Sequence, residues 1–137
     1  MTVRMASLLI MLCGFALTGC ADRDSVVVRH YTSAQISANN GESDVSDRPL
    51  TETQVAALTN WINSRVNCSG FSADIPDRSS LSIQLQDANG VSSHIDVYKR
   101  NDGSATAYLY EGHRLAPERC PLTSVDLTSL ISMLNAQ

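Results

Sequence analysis

The sequence predicts an α+β fold, a three-stranded antiparallel meander with two helices packed on one face and one disulfide. Two segments carry apolar residues at helical spacing behind a capping signature. Three runs between them alternate apolar and polar residues, and glycine closes each turn that joins those runs. Together these features delimit a single α+β domain over residues 50–137, and a chain of 137 residues has room for only one modest core.

The first helix is announced by Thr51-Glu52-Thr53-Gln54. In such a capping box the Thr hydroxyl accepts from the backbone N–H three residues on, and the Gln side chain accepts from the Thr backbone N–H. Leu50 can staple to Val55, and the stripe Val55, Leu58, Ile62 and Val66, with Trp61 alongside as a core residue, predicts a helix to about Val66. The C-terminal segment repeats the device. Thr123 caps with Asp126, Leu122 staples to Leu127, and Leu127, Leu130, Ile131 and Leu134 form the stripe.

Between the helices, the apolar sets are Leu81, Ile83 and Leu85 in LSIQLQD, Val91, Ile95 and Val97 in VSSHIDVYK, and Ala105, Ala107 and Leu109 in SATAYLY. Register selects the turns. A two-residue Asn89-Gly90 loop sets Leu85 opposite His94 and mixes the two faces. A three-residue Ala88-Asn89-Gly90 loop pairs Leu85 with Ser93, Ile83 with Ile95 and Leu81 with Val97. The same choice at Asn101-Asp102-Gly103 pairs Val97 with Ala107 and Ile95 with Leu109. Both turns then place glycine third, where a left-handed residue closes a bulged loop. Residues 25–31, SVVVRHY, are a candidate fourth strand, and residues 32–49 read as a flexible connection rich in polar residues and ending in proline.

In this register the face opposite the helices carries Ser82, Gln84, Gln86, Ser92, His94, Asp96, Tyr98, Thr106, Tyr108 and Tyr110. Tyrosines among small polar residues offer rigid contact area with adaptable hydrogen bonding, a composition favoured in protein-binding surfaces. His94, Asp96, Tyr98, Tyr108 and Tyr110 are therefore the candidate partner-binding face. The other reading of the same residues is an ordinary solvated sheet face, or one covered by the Thr32 to Pro49 segment.

Ten basic residues against fourteen acidic ones, a formal net charge of −4 and no Lys/Arg cluster argue against nucleic-acid binding. His30, His94 and His113 lack ligand spacing, and Asp74 and Asp77 do not follow a calcium-loop pattern, so no metal or other cofactor is expected. His94 and Asp96 can be neighbours on a strand, but no nucleophile elbow or glycine-rich phosphate loop accompanies them, and no enzymatic activity is expected.

The N-terminus addresses location. Residues 1–17, MTVRMASLLIMLCGFAL, combine a short segment containing Arg4 with an apolar run of signal-peptide length. A membrane-spanning helix needs about twenty apolar residues. The following Leu17-Thr18-Gly19-Cys20 resembles the lipobox of bacterial lipoproteins, an aliphatic residue and two small ones ahead of an obligatory cysteine. The resemblance implies that residues 1–19 are a signal peptide and that Cys20 receives a thioether-linked diacylglyceryl group. It further implies that Cys20 becomes the mature N-terminus, usually with a further acyl chain such as palmitate on its amino group. Residues 20–49 then form a lipidated N-terminus and tether. Because Ala21 and not Asp follows Cys20, the family's sorting rule directs the protein to the outer membrane, facing the periplasm.

With Cys13 removed and Cys20 acylated, the mature chain retains Cys68 and Cys120. In an oxidising compartment the pair most simply forms a disulfide; two free thiols and a redox or metal role are the alternatives. In size and design the mature chain is similar to periplasmic immunity and inhibitor lipoproteins, which neutralise a toxin or a lysozyme at the membrane. Ser69-Gly70-Phe71-Ser72-Ala73 lacks the Tyr that follows Ser-Gly in lysozyme inhibitors. The expected function is thus a lipid-anchored, periplasm-facing, non-enzymatic lipoprotein that binds a protein partner, as an immunity or inhibitor protein against a toxin or peptidoglycan hydrolase. The alternative is a structural or assembly lipoprotein of an envelope secretion or transport machine, with a small-ligand sensor as the third reading.

Overall fold

The three alternating runs form the strands that their pattern predicts. The computed structural model describes residues 27–38, 45–65, 67–69 and 75–137. In it the runs are β3 (Leu81–Asp87), β4 (Ser92–Lys99) and β5 (Ala105–Glu111). Ile83 pairs with Ile95 and Leu85 with Ser93 in the first ladder, and Ile95 with Leu109 and Val97 with Ala107 in the second. Gly90 and Gly103 close the two three-residue turns at φ of 78° and 83°, left-handed values that a side chain adopts only with strain.

The sheet is larger than the sequence pattern predicts. Instead of three or four strands it has six among the described residues, all antiparallel, in the order β2-β1-β3-β4-β5-β6. Two of the added strands come from the expected flexible connection, β1 (Tyr31–Ala38) and β2 (Arg48–Pro49), and the third is β6 (Glu118–Leu122). In β1 only Ala34 and Ile36 are buried, at 7 % and 0 % exposure, and Thr32, Ser33, Gln35 and Ser37 between and beside them make the segment read locally as loop. Of the candidate strand at residues 25–31, only Tyr31 is strand among the described residues. Both edge strands carry a proline, Pro49 in β2 and Pro121 in β6. Proline cannot donate to a further ladder and so blunts the edges against a stray partner strand.

Val91, expected in the core, is 47 % exposed. Its carbonyl accepts from the Asp87 N–H at 3.1 Å to close the turn, and β4 begins one residue later, leaving Ser93 at the inward position.

Both capping boxes are formed. In α1 (Glu52–Asn63) the Gln54 N–H donates to Thr51 Oγ1 at 3.3 Å and the Thr51 N–H to Gln54 Oε1 at 2.9 Å. In α2 (Ser124–Asn135) the Asp126 N–H donates to Thr123 Oγ1 at 3.2 Å and the Thr123 N–H to Asp126 Oδ2 at 3.0 Å. The first helix ends at Asn63, short of the expected Val66, with Ser64 as its C-cap; Val66 itself lies outside the described residues.

The helices cross the strands instead of running along them. The first starts at the β1–β2 side, where the Leu50 N–H donates to the Ala34 carbonyl at 2.9 Å. Past its end the chain reaches β6, where the Ser69 N–H donates to the Arg119 carbonyl at 2.9 Å and Cys68 is disulfide-bonded to Cys120, with Cα atoms 4.1 Å apart. The bridge therefore joins the chain beyond α1 to an edge strand. From β6 the second helix returns to the β1–β2 side. There Gln54 Nε2 donates to the carbonyls of Leu134 at 2.9 Å and Ala136 at 2.6 Å, and the Arg48 guanidinium also donates to the Leu134 carbonyl. Gln54, only 4 % exposed, thus serves the start of one helix and the end of the other. One core cluster unites the inward strand residues Ile36, Ile83, Ile95 and Leu109 with Val55, Leu58 and Ile62 of α1 and Leu127, Leu130 and Leu134 of α2. Among the described residues, no helix is long and apolar enough to cross a membrane. Residues 1–19 and Cys20, the expected signal peptide and acylation point, lie outside the described residues.

Candidate functional site

The outer face of the sheet follows from the register. With Ile83, Ile95 and Leu109 turned to the helices, their neighbours in sequence turn away. His94 stands opposite Tyr110, Asp96 opposite Tyr108 and Tyr98 opposite Thr106, as the turn lengths predict. The additional strand β6 sets Arg119 beside Tyr108 and Pro121 beside Thr106. On the other side, β1 extends the face with Ser33 opposite Gln86, Gln35 opposite Gln84 and Ser37 opposite Ser82.

Four of the five candidate residues are partly exposed: His94, Asp96, Tyr98 and Tyr110. The His94 and Tyr110 rings lie parallel, 4.2 Å between centroids and 8° between planes, while Tyr98 meets Tyr108 edge-on at 5.6 Å. His94 Nε2 lies 3.8 Å from Asp96 Oδ2. Tyr108 shares this face but is 3 % exposed. It sits mid-sheet between Asp96 and Arg119, with Tyr98 across one side of its ring, so its area goes to these neighbours and it supports the surface from below. Burial pushes the Tyr98 hydroxyl up to about 12, aided by the negative charge of Asp96. Tyr110 is raised for the same two reasons. Both phenols therefore remain neutral donors at any physiological pH, beside a carboxylate acceptor. The face offers flat apolar area edged by hydroxyl, imidazole and carboxylate groups.

Beside this aromatic patch, an open groove of about 370 Å³ has a mixed lining that includes Gln35, Gln84, Gln86 and Ser92 with Pro49 and Leu85. A second pocket, between the end of α1 and strands β5 and β6, touches Trp61, Arg65 and Cys68 but offers only about 20 Å³. That is room for about one water molecule.

One charged cluster has no counterpart in the sequence reading. Arg29 donates through Nε to Glu111 Oε1 at 2.7 Å and through Nη2 to Glu118 Oε2 at 2.8 Å. Its backbone is clamped as well, the N–H donating to Asn63 Oδ1 at 3.0 Å and the carbonyl accepting from Asn63 Nδ2 at 2.9 Å. Glu111 side-chain exposure is 5 %. Burial alone would raise its carboxyl, but the hydrogen bond and charge of Arg29 outweigh burial, with His113 and Arg114 adding to them, and hold it below the usual range. A signal for this cluster was present, because Glu111 occupies the inward position after Ala105, Ala107 and Leu109 and a charge there requires a partner. Nothing local names Arg29, which lies 82 residues away.

Among the described residues, no three His, Cys, Asp or Glu side chains gather into a metal-binding group. No protein-family model, curated protein or solved structure matches the chain.

Proposed function

We propose that this chain is a lipid-anchored lipoprotein of the outer membrane, facing the periplasm, that binds a protein partner and performs no catalysis. The observation that carries the reading is the outer sheet face. Both helices pack on the opposite side, and His94, Tyr98 and Tyr110 present ring area beside Asp96. Pairing of rings holds them in place before any partner arrives, which lowers the ordering cost of binding. The lipobox-like Leu17-Thr18-Gly19-Cys20 supports the anchor, and size and design favour an immunity or inhibitor role against a toxin or peptidoglycan hydrolase.

The test is capture from envelopes with the full, processed chain. A partner held by the wild type is expected to be lost on Tyr110→Ala by about 2 kcal/mol, or about thirtyfold, the effect of removing a central aromatic contact. Identification of that partner as a hydrolase or toxin supports the immunity reading; a component of a secretion machine supports the assembly role instead. Unchanged affinity in both Tyr110→Ala and Tyr98→Ala removes this face from consideration. In the same cells Cys20→Ser should move the protein from the membrane to the soluble fraction.

A further inference from the structure

We infer that the end of the sheet where the chain enters the fold rests on the phospholipid bilayer, with Leu115 as the tip that penetrates the headgroup layer. This inference rests on the lipid-anchor reading above.

The antiparallel register brings four segments to that end. These are the residues leading into β1, the turn at residues 88–90, the end of β5, and the loop at residues 112–117 that leads to β6. Five large hydrophobic residues among those described are exposed, and four of them lie here: Val27 at 44 %, Val28 at 61 %, Val91 at 47 % and Leu115 at 109 %. They belong to one surface. The Gly112 backbone packs on Val91, since a Cβ there would lie 3.6 Å from Val91 Cγ1. Val28 adjoins Arg29, whose guanidinium holds Glu111 and Glu118 on either side of the loop that bears Leu115. The fifth, Val125 at 76 %, is at the opposite end, next to Ser124, which faces the Gly103 turn.

The length of the connection selects the occupant. Val27 lies seven residues after Cys20. An extended chain covers at most about 3.6 Å per residue, so Val27 stays within roughly 25 Å of an acylated Cys20. The paired hydrogen bonds between Arg29 and Asn63, with the two ion pairs of Arg29, fix the point of entry rigidly to the domain. A short leash on a fixed point favours this end of the sheet over the opposite one as the part that meets the membrane. Apolar area does the binding there, because the arginines at this end, Arg29 and Arg114, are already held by Glu111 and Glu118 and are not free for lipid phosphates. Arg114 Nη1 lies 3.1 Å from Glu118, and Arg114 Nε is 3.6 Å from Glu111. The contact is therefore expected to be insensitive to the anionic lipid content of the bilayer.

The experiment uses the acylated full chain reconstituted in phosphatidylcholine vesicles, some with brominated acyl chains that quench indole fluorescence on contact. In a Trp61→Phe background, Leu115→Trp is expected to be quenched several-fold and Val125→Trp to be unaffected. Both positions are exposed, so neither substitution disturbs the core. Hydrogen exchange on the acylated chain without substitutions provides the second measurement, with several-fold slowing on vesicles expected at residues 112–117 and none at residues 101–103. Acylated, vesicle-bound protein with equal signals at the two ends overturns the membrane contact and leaves the anchor standing. A chain that carries no acyl group on Cys20 overturns both.

Discussion

Successive residues of the same strands build two faces with opposite tasks. Ile83, Ile95 and Leu109 are 0 %, 2 % and 4 % exposed beneath the helices. One residue along in each strand, Gln84, His94 and Tyr110 form a row on the other side. The difference is not simply apolar against polar. Tyr108 is on the outer face yet buried, and Glu111 is on the inner face yet charged. What separates the faces is the source of closure. The inner face is closed by helices that arrive from elsewhere in the chain, whereas among the described residues the outer face is closed by lateral neighbours, which suffice at mid-sheet and fail toward its end.

The largest test of that contrast is the disulfide, because Cys120 takes an inward position next to Ala107 and its bridge fastens the chain beyond α1 to β6. The cross-link spans 52 residues, and closing a loop of that size contributes about 4 kcal/mol in the chain-entropy model. Cys68→Ala with Cys120→Ala, measured by denaturant unfolding in a Cys20→Ser background, should lose about that amount. A loss under about 1 kcal/mol would mean that helix packing alone closes the inner face.

Next in size is a matched pair of truncations. Leu130→Ala removes a side chain that is 0 % exposed and should cost about 3 kcal/mol, from lost burial and the cavity left behind. Tyr110→Ala should cost less than about 1 kcal/mol of stability, since it forfeits a ring contact at the margin of the sheet. Under the proposed function its larger effect is on binding. Equal losses in the two variants would show that the outer face is structural and not free for a partner.

The same contrast explains what the sequence discloses. The capping boxes at Thr51 and Thr123, the β3–β4 and β4–β5 registers, both glycine turns and the pairing of Cys68 with Cys120 all rest on local spacing or on cysteine arithmetic, and all are legible. β1 and β2 are not. Strand β1 is specified by its ladder to β3 and by only two inward residues, Ala34 and Ile36, too few to raise a periodic signal. In β6 the alternation is masked by Pro121, which an edge strand tolerates on its outward side. For the candidate site, turn length was enough to put His94, Asp96, Tyr98, Tyr108 and Tyr110 on one face. The burial of Tyr108 depends on Arg119 of the unforeseen β6, and the clamp of Arg29 on Glu111 on a contact across 82 residues.

The smallest expected effect is on the outer face and depends on pH. Tyr98 is raised to about 12 by burial and by the charge of Asp96, against about 10 for an unfolded tyrosine. The native state thus holds the proton more tightly than the unfolded state. The stabilisation this represents is complete below pH about 10, and is lost as pH rises through about 12. Followed by phenolate absorbance with the fold monitored by circular dichroism, ionisation should include a final phase near pH 12, and Tyr98→Phe should abolish it. Asp96→Asn separates the two causes: it removes the charge and keeps the burial, so the phase should move down only partway toward about 10. A final phase that drops all the way would assign the shift to Asp96 alone, and would mean that Tyr98 is as open to solvent as a ring on a bare sheet.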